Sequence, residues 1–106
     1  MSAIEDYLAQ LLDRVRGATE EERMRAQGVY ALSLAEGEER MVLAVEADDG
    51  HILDGDAPAD VEVRLTRPDL IDLAAGRLNP MTAFMAGRVE LSGDVERALR
   101  LWALIR

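Results

Sequence analysis

The chain has 106 residues, a formal net charge of −9 from 21 acidic against 12 basic side chains, and no cysteine. That length leaves room for one domain with a modest core, and the missing cysteines exclude disulfide staples, thiolate catalysis and zinc ribbons. An acidic chain without a run of Lys or Arg repels phosphate backbones, so nucleic acid is not an expected partner. Hydrophobic residues at 49% and charged ones at 31% give a globular rather than a disordered balance.

The first segment reads as a helix. Ser2 and Glu5 form a capping-box pair, Ile4, Leu8, Leu11, Leu12 and Val15 follow at helical spacing, and Gly17 stops the run. Thr19 and Glu22 repeat the cap signature and open a short acidic turn or helix to about Gln27, with Met24 as its expected anchor. From Val29 the period changes to two. Tyr30, Leu32 and Leu34 alternate with smaller residues, Glu36-Gly37-Glu38 turns the chain, and Met41, Leu43 and Val45 alternate in a second strand, giving a hairpin.

Asp48-Asp49-Gly50 makes another turn, His51 to Asp54 a short strand and Gly55 to Pro58 a third turn. Val61, Val63 and Leu65 then alternate with Glu62 and Arg64 as an amphipathic strand. Thr66, Pro68 and Asp69 start a helix that Gly76 ends, and Asn79-Pro80 starts a shorter one carrying Met81, Phe84 and Met85 until Gly87. Val89 and Leu91 mark a fifth strand. Gly93-Asp94 opens the last helix, whose stripe of Val95, Ala98, Leu99, Trp102 and Ile105 is widened by Leu101 and Leu104 beyond the usual sector of roughly 100°. Three or four helices and five strands predict a two-layer α+β domain spanning residues 1–106.

Catalytic chemistry finds little to work with. His51 is the sole imidazole, and no Ser stands in a nucleophile-elbow context. The acidic cluster at Asp48, Asp49, Asp54, Asp56 and Asp60 fails an EF-hand alignment, because Pro58 and Ala59 fall where an oxygen ligand and a glycine belong. Isolated glycines at 76, 87 and 93 make no phosphate loop. No cofactor, metal or catalytic residue is therefore expected. Acidic Glu5 and Asp6 stand where a secretory signal would be basic, and no stretch reaches the roughly 20 apolar residues of a membrane span, so the expected setting is cytoplasmic.

The run Gly76-Arg77-Leu78-Asn79-Pro80, then Ala83-Phe84-Met85-x-Gly87-Arg88, alternating Val89 and Leu91, and Gly93-Asp94 is similar to the sterol carrier protein 2 family of lipid-binding domains. Ala59-Asp60-Val61-x-Val63-x-Leu65 followed by Pro68-Asp69-Leu70 resembles it too. In the N-terminal half the likeness is topological, resting on the leading helix, Tyr30 and the hairpin. The resemblance implies a five-stranded, mainly antiparallel sheet covered by helices, with an apolar tunnel for fatty acid, fatty acyl-CoA, phospholipid or sterol and no catalytic residues. Carried over by position, Met81, Phe84 and Met85 would line the tunnel from the short helix. Leu99, Trp102 and Ile105 would close it, with Leu32, Leu43 and Val63 as its floor. Leu32, Leu34 and Met41 stand where the family often has bulky aromatics, a change that reshapes the cavity, and the acidic surface argues against docking on anionic membranes. The alternative is an accessory or scaffold module that binds a protein partner, or a second copy of itself, through the broad face of the last helix.

Overall fold

The structure, a computed structural model, describes residues 3–104. Within them lie five helices and five strands. In chain order they are α1 (Ala3–Gly17), α2 (Glu20–Arg25), β1 (Gly28–Leu34), β2 (Arg40–Val45), β3 (Gly50–Leu53), β4 (Val61–Leu65), α3 (Arg67–Ala74), α4 (Pro80–Met85), β5 (Val89–Gly93) and α5 (Val95–Leu104). Ser2 and Ile105, the expected first cap and the expected last tunnel residue, lie outside the described residues.

The strands form one sheet in the order β3-β2-β1-β4-β5, an α+β arrangement with helices against it. Three of its four pairings are antiparallel, but β1 and β4 run parallel. Parallel neighbours need a crossover, and residues 54–60 supply it between β3 and β4. The expected turn is present, with the Ala57 N–H donating to the Asp54 carbonyl at 3.0 Å, and it forms part of a strap that crosses between the two strands. Arg40 holds it, donating to the carbonyls of Gly55 at 2.6 Å and Ala57 at 2.9 Å while its other nitrogens meet the Glu62 carboxylate. Gly55 is needed there because a β-carbon would come within 2.6 Å of the Arg40 carbonyl oxygen. Ala31, Val42 and Ala44, which point away from the helices, are nevertheless buried.

On the helical face the register stacks apolar residues in rows. Tyr30 lies between Leu43 and Val61, Leu32 between Met41 and Val63, and Leu34 beside Leu65. Helix α1 packs on β2, β3 and α3, while α5 packs on β4, α2 and α4. The α1 stripe of Ile4, Leu8, Leu11 and Val15 is buried as its spacing predicts, and Tyr7 joins it. Each such side chain contributes on the order of 1.5–3 kcal/mol of burial.

Helix α2 has the full capping box, Thr19 and Glu22 bonding each other's backbone N–H at 3.1 and 3.0 Å. Met24 is not its anchor, being 56% exposed. Instead the Arg23 guanidinium donates to the carbonyls of Val15, Ala18 and Ala47, and Ala26 is fully buried. A charged fork with several acceptors fixes this polar helix better than one thioether on its outer side. At α3, Thr66 caps the Asp69 N–H, but the Asp69 carboxylate turns outward to Arg88 instead of closing a box.

Candidate functional site

The helical layer does not close between the middle of α1, the end of α3, the start of α4 and the C-terminal half of α5. A cleft of about 690 Å³ opens there, within the size range of small-molecule sites. Helix α1 contributes Tyr7, Gln10, Leu11 and Arg14, and α5 contributes Leu99, Trp102 and Ala103. The α3–α4 link and the first turn of α4 form the third wall, with Arg77, Leu78, Asn79, Met81 and Thr82.

Local geometry makes that third wall firm. Gly76 adopts φ of 78°, and the Arg77 and Leu78 N–H groups both donate to the Asp72 carbonyl, at 2.8 and 3.2 Å. Asn79 then caps α4, accepting from the Met81 and Thr82 N–H groups at 2.9 and 3.2 Å, with Pro80 in the first helical position. Outside the link, Arg77 pairs with Asp72, and Arg88 pairs with Asp69 and approaches Asp72 to 3.8 Å. The Arg88 guanidinium holds the Asp69 carboxyl below the usual carboxylate range.

Beneath the cleft lies a void of only about 40 Å³, walled almost wholly by apolar atoms. Its floor is Leu32, Leu43 and Val63 from the sheet, and its roof includes Ala98 and Leu101 from α5. Tyr7, Leu11, Leu73, Pro80 and Trp102 line both spaces and form the wall that they share. At its size it holds a water molecule or so and no lipid. Tyr7 is desolvated at this junction, which pushes its phenol up to about 12 despite the opposing charge of Arg14. Burial likewise raises Tyr30, whose hydroxyl donates to the Ala26 carbonyl at 2.5 Å and lies 3.2 Å from that of Arg97.

Of the residues expected to line a tunnel, Leu32, Leu43, Val63 and Trp102 meet around the void, and Met81, Leu99 and Trp102 around the cleft. Phe84 stands behind them. Its ring lies 6.0 Å from that of Trp102, tilted by 55°, and it faces a separate, shallow depression beside Leu91. Met85 is 80% exposed and lines neither the cleft nor the void, since in so short a helix only Ala83 turns fully inward. The sequence list missed Tyr7, Leu11 and Leu73. Helical spacing marked Leu11 as core-facing; that α1 also forms a cavity wall follows only from its packing across α3.

Among the described residues no group of three or more His, Cys, Asp or Glu is placed to hold a metal ion. His51 sits on the exposed sheet edge, 3.2 Å from Glu46. No described helix is long and apolar enough to cross a membrane.

Comparison with known proteins agrees with this architecture. A zebrafish (Danio rerio) protein, hydroxysteroid dehydrogenase-like protein 2, is 32% identical over 99 residues, which cover 89% of this chain and 24% of that one. Sterol carrier protein 2 of Rattus norvegicus is 30% identical over 82 residues, covering 73% of this chain and 15% of the rat protein. The chain thus spans a quarter or less of the length of these relatives. The solution structure of palmitated SCP2L2 from Aedes aegypti superposes with a TM-score of 0.76 at 25% identity, covering 100% of this chain and 96% of that one. The sequence model of the SCP-2 sterol transfer family matches residues 8–106. With the strand order, the helical cover and the cleft all in place, the chain belongs to the SCP-2 sterol transfer family.

Proposed function

We propose that residues 1–106 act as a single lipid-binding domain that carries one lipid, without catalysis, in the cleft and its inner void. The observation that supports this most is that Tyr7, Leu11, Leu73, Pro80 and Trp102 line both spaces, which sets a cleft of ligand size directly against an apolar floor. In this reading the acyl part of a fatty acid, fatty acyl-CoA or phospholipid, or the body of a sterol, lies along Leu99, Trp102 and Met81. Its inner end presses on Leu32, Leu43 and Val63. Phe84 supports the Trp102 ring from behind, and Met85 lies at the outer surface of the same short helix. Sixteen carbons buried at about 0.8 kcal/mol each give on the order of 10 kcal/mol gross, enough for micromolar binding after ordering costs. The Aedes aegypti neighbour is described as palmitated, which favours an acyl ligand as the first to try. A cytoplasmic setting is part of the proposal.

The alternative, a module that dimerises or binds a protein through α5, has less support. Leu101 is 5% exposed and Leu104 packs against the core, so the residues that widen the apolar stripe are already used inside the domain. Organic extraction of the purified protein followed by mass spectrometry, with displacement of a bound fluorescent fatty acid, tests the main reading. Recovered lipid and saturable displacement are expected. A protein that yields no lipid and displaces nothing is not a carrier, and a dimeric solution mass lost on Leu104→Glu would favour the alternative.

A further inference from the structure

We propose that the free edge of β3 receives an extended segment of a partner protein, apolar at its centre and carrying Lys or Arg at both ends, as a strand added to the sheet. This edge lies outside the cleft lining, and its use does not depend on lipid carriage.

The two outer strands of the order β3-β2-β1-β4-β5 are finished differently. On β5, Val89 is 3% exposed and alternates with Glu90 and Ser92, and no large apolar side chain of that strand is exposed. On β3, Ile52 and Leu53 are 40% and 38% exposed. Directly opposite residues share a face of the sheet. Ile52 stands opposite Leu43 on the helical face and Leu53 opposite Val42 on the outer face, so β3 shows an open apolar side chain on each side.

The backbone of β3 is open as well. The Glu46 N–H donates to the Asp49 carbonyl at 2.8 Å, one step beyond the Val45–Gly50 pair. Bonded and non-bonded pairs alternate along an antiparallel ladder. The bonded pairs are therefore Ala44–His51 and Val42–Leu53, and Gly50 and Ile52 turn their N–H and C=O groups away from β2. The Gly50 carbonyl accepts from the Arg16 guanidinium at 3.1 Å. Ile52 keeps a donor and an acceptor for a further strand, the pattern by which sheet edges take up extended segments.

Charge decides what that segment is. Between residues 46 and 60 the chain carries Glu46, Asp48, Asp49, Asp54, Asp56 and Asp60 and no Lys or Arg. Asp49 pairs with Arg16, Asp60 accepts from the Val29 N–H, and Glu46 lies 3.2 Å from His51. Asp48, in the turn before β3, and Asp54, directly after it, are exposed and join no salt bridge among the described residues. An apolar centre between two open carboxylates complements a strand with a cation at each end. A second copy of the chain fits worse. Paired antiparallel about Ile52, it would set Asp48 opposite Asp56 and bring the acidic turns of both copies together, which like charges oppose.

Fluorescence anisotropy at neutral pH and low salt, with dansyl-labelled peptides as probes, tests the edge. KKTVTVTKK has the proposed character; EETVTVTEE reverses its charge, and KKTPTPTKK keeps the charge but lacks the N–H groups of a strand. The first should bind about tenfold tighter than either of the others, because both charge and backbone pairing are needed. Asp48→Asn with Asp54→Asn should weaken it about threefold and leave the thermal midpoint nearly unchanged, as substitution of exposed carboxylates does. Ile52→Pro removes only an outward N–H, which an edge strand tolerates, and should weaken binding about tenfold. If Ile52→Pro does not fold, Leu53→Lys, which opposes the cationic ends, reads the same loss. Equal binding of the basic and acidic peptides, or of the valine and proline peptides, overturns the inference, as does binding unmoved by the edge variants. A dimeric solution mass that Leu53→Lys abolishes also overturns it, since the edge would then be covered by a second copy. None of these readings uses a lipid, so lipid carriage stands or falls separately.

Discussion

Leu43 and Leu101, around the inner void, are 1% and 5% exposed, whereas Met81, on the wall of the cleft, is 38% exposed among Asn79, Thr82 and Arg77. The same helices build both regions. Their apolar sides meet the sheet and pack it closely, whereas the cleft opens outside that layer between α1, α5 and the link from α3 to α4. The difference teaches where stability and selectivity reside. The void is walled by packed apolar rows, so substitutions there should cost stability, and the cleft by half-exposed side chains, so on the proposed reading substitutions there should change what binds.

Substitutions on the two sides should separate these roles. The largest effect belongs to the floor. Leu43→Ala should cost about 2–5 kcal/mol, because the sheet cannot collapse into the cavity it leaves, and urea unfolding measures it. Next comes the shared wall. Trp102→Ala should cost roughly 1–3 kcal/mol, since it also removes the Phe84 contact, and it should weaken lipid displacement several-fold. A Trp102→Ala protein that loses stability but binds normally would erase the distinction between floor and wall. At the rim, Asn79→Ala should cost about 1 kcal/mol by uncapping α4, seen as a small shift in thermal midpoint with a loosened cleft.

The smallest effect is electrostatic. The folded pKa of Asp69 is depressed by Arg88, so its contribution is complete above the unfolded value of about 3.9 and fades as pH falls through the lower folded value. Thermal midpoints of the wild type and Asp69→Asn, compared from pH 7 downward, should therefore converge in acid and in high salt, as a largely solvated pair requires. A gap that persists in strong acid would mean that Asp69 acts through packing.

Much of the fold was legible as periods and caps. The change from helical spacing at Ile4–Val15 to alternation at Tyr30–Leu34 placed α1 and β1, and Asn79-Pro80 with Gly87 bounded α4 to within a residue. Met24 shows why side-chain type misleads in short helices. In six residues one face suffices for contact, and there the Arg23 guanidinium found three carbonyls while the methionine turned outward. The turn at Gly55 was legible and is present, but nothing local tells that the segment around it crosses to the far side of β1.

Candidate site residues divided in the same way. Strand parity placed Leu32, Leu43 and Val63 on the helical face, because neighbours along a strand alternate strictly. The short helix α4 offered no such constraint, so Met85 and Phe84 could not be told from Met81 before the helix was oriented against β5 and α5.

By itself the sequence determined the element types, their faces and the acidic balance, since these follow from local periodicity, capping chemistry and charge count. Only the tertiary structure decided that β1 and β4 run parallel under a strap, that α1 walls the cleft, and that Met81, Leu99 and Trp102 meet around it while Met85 does not. Those facts depend on residues far apart in the chain meeting across the sheet, and no local preference encodes such a meeting.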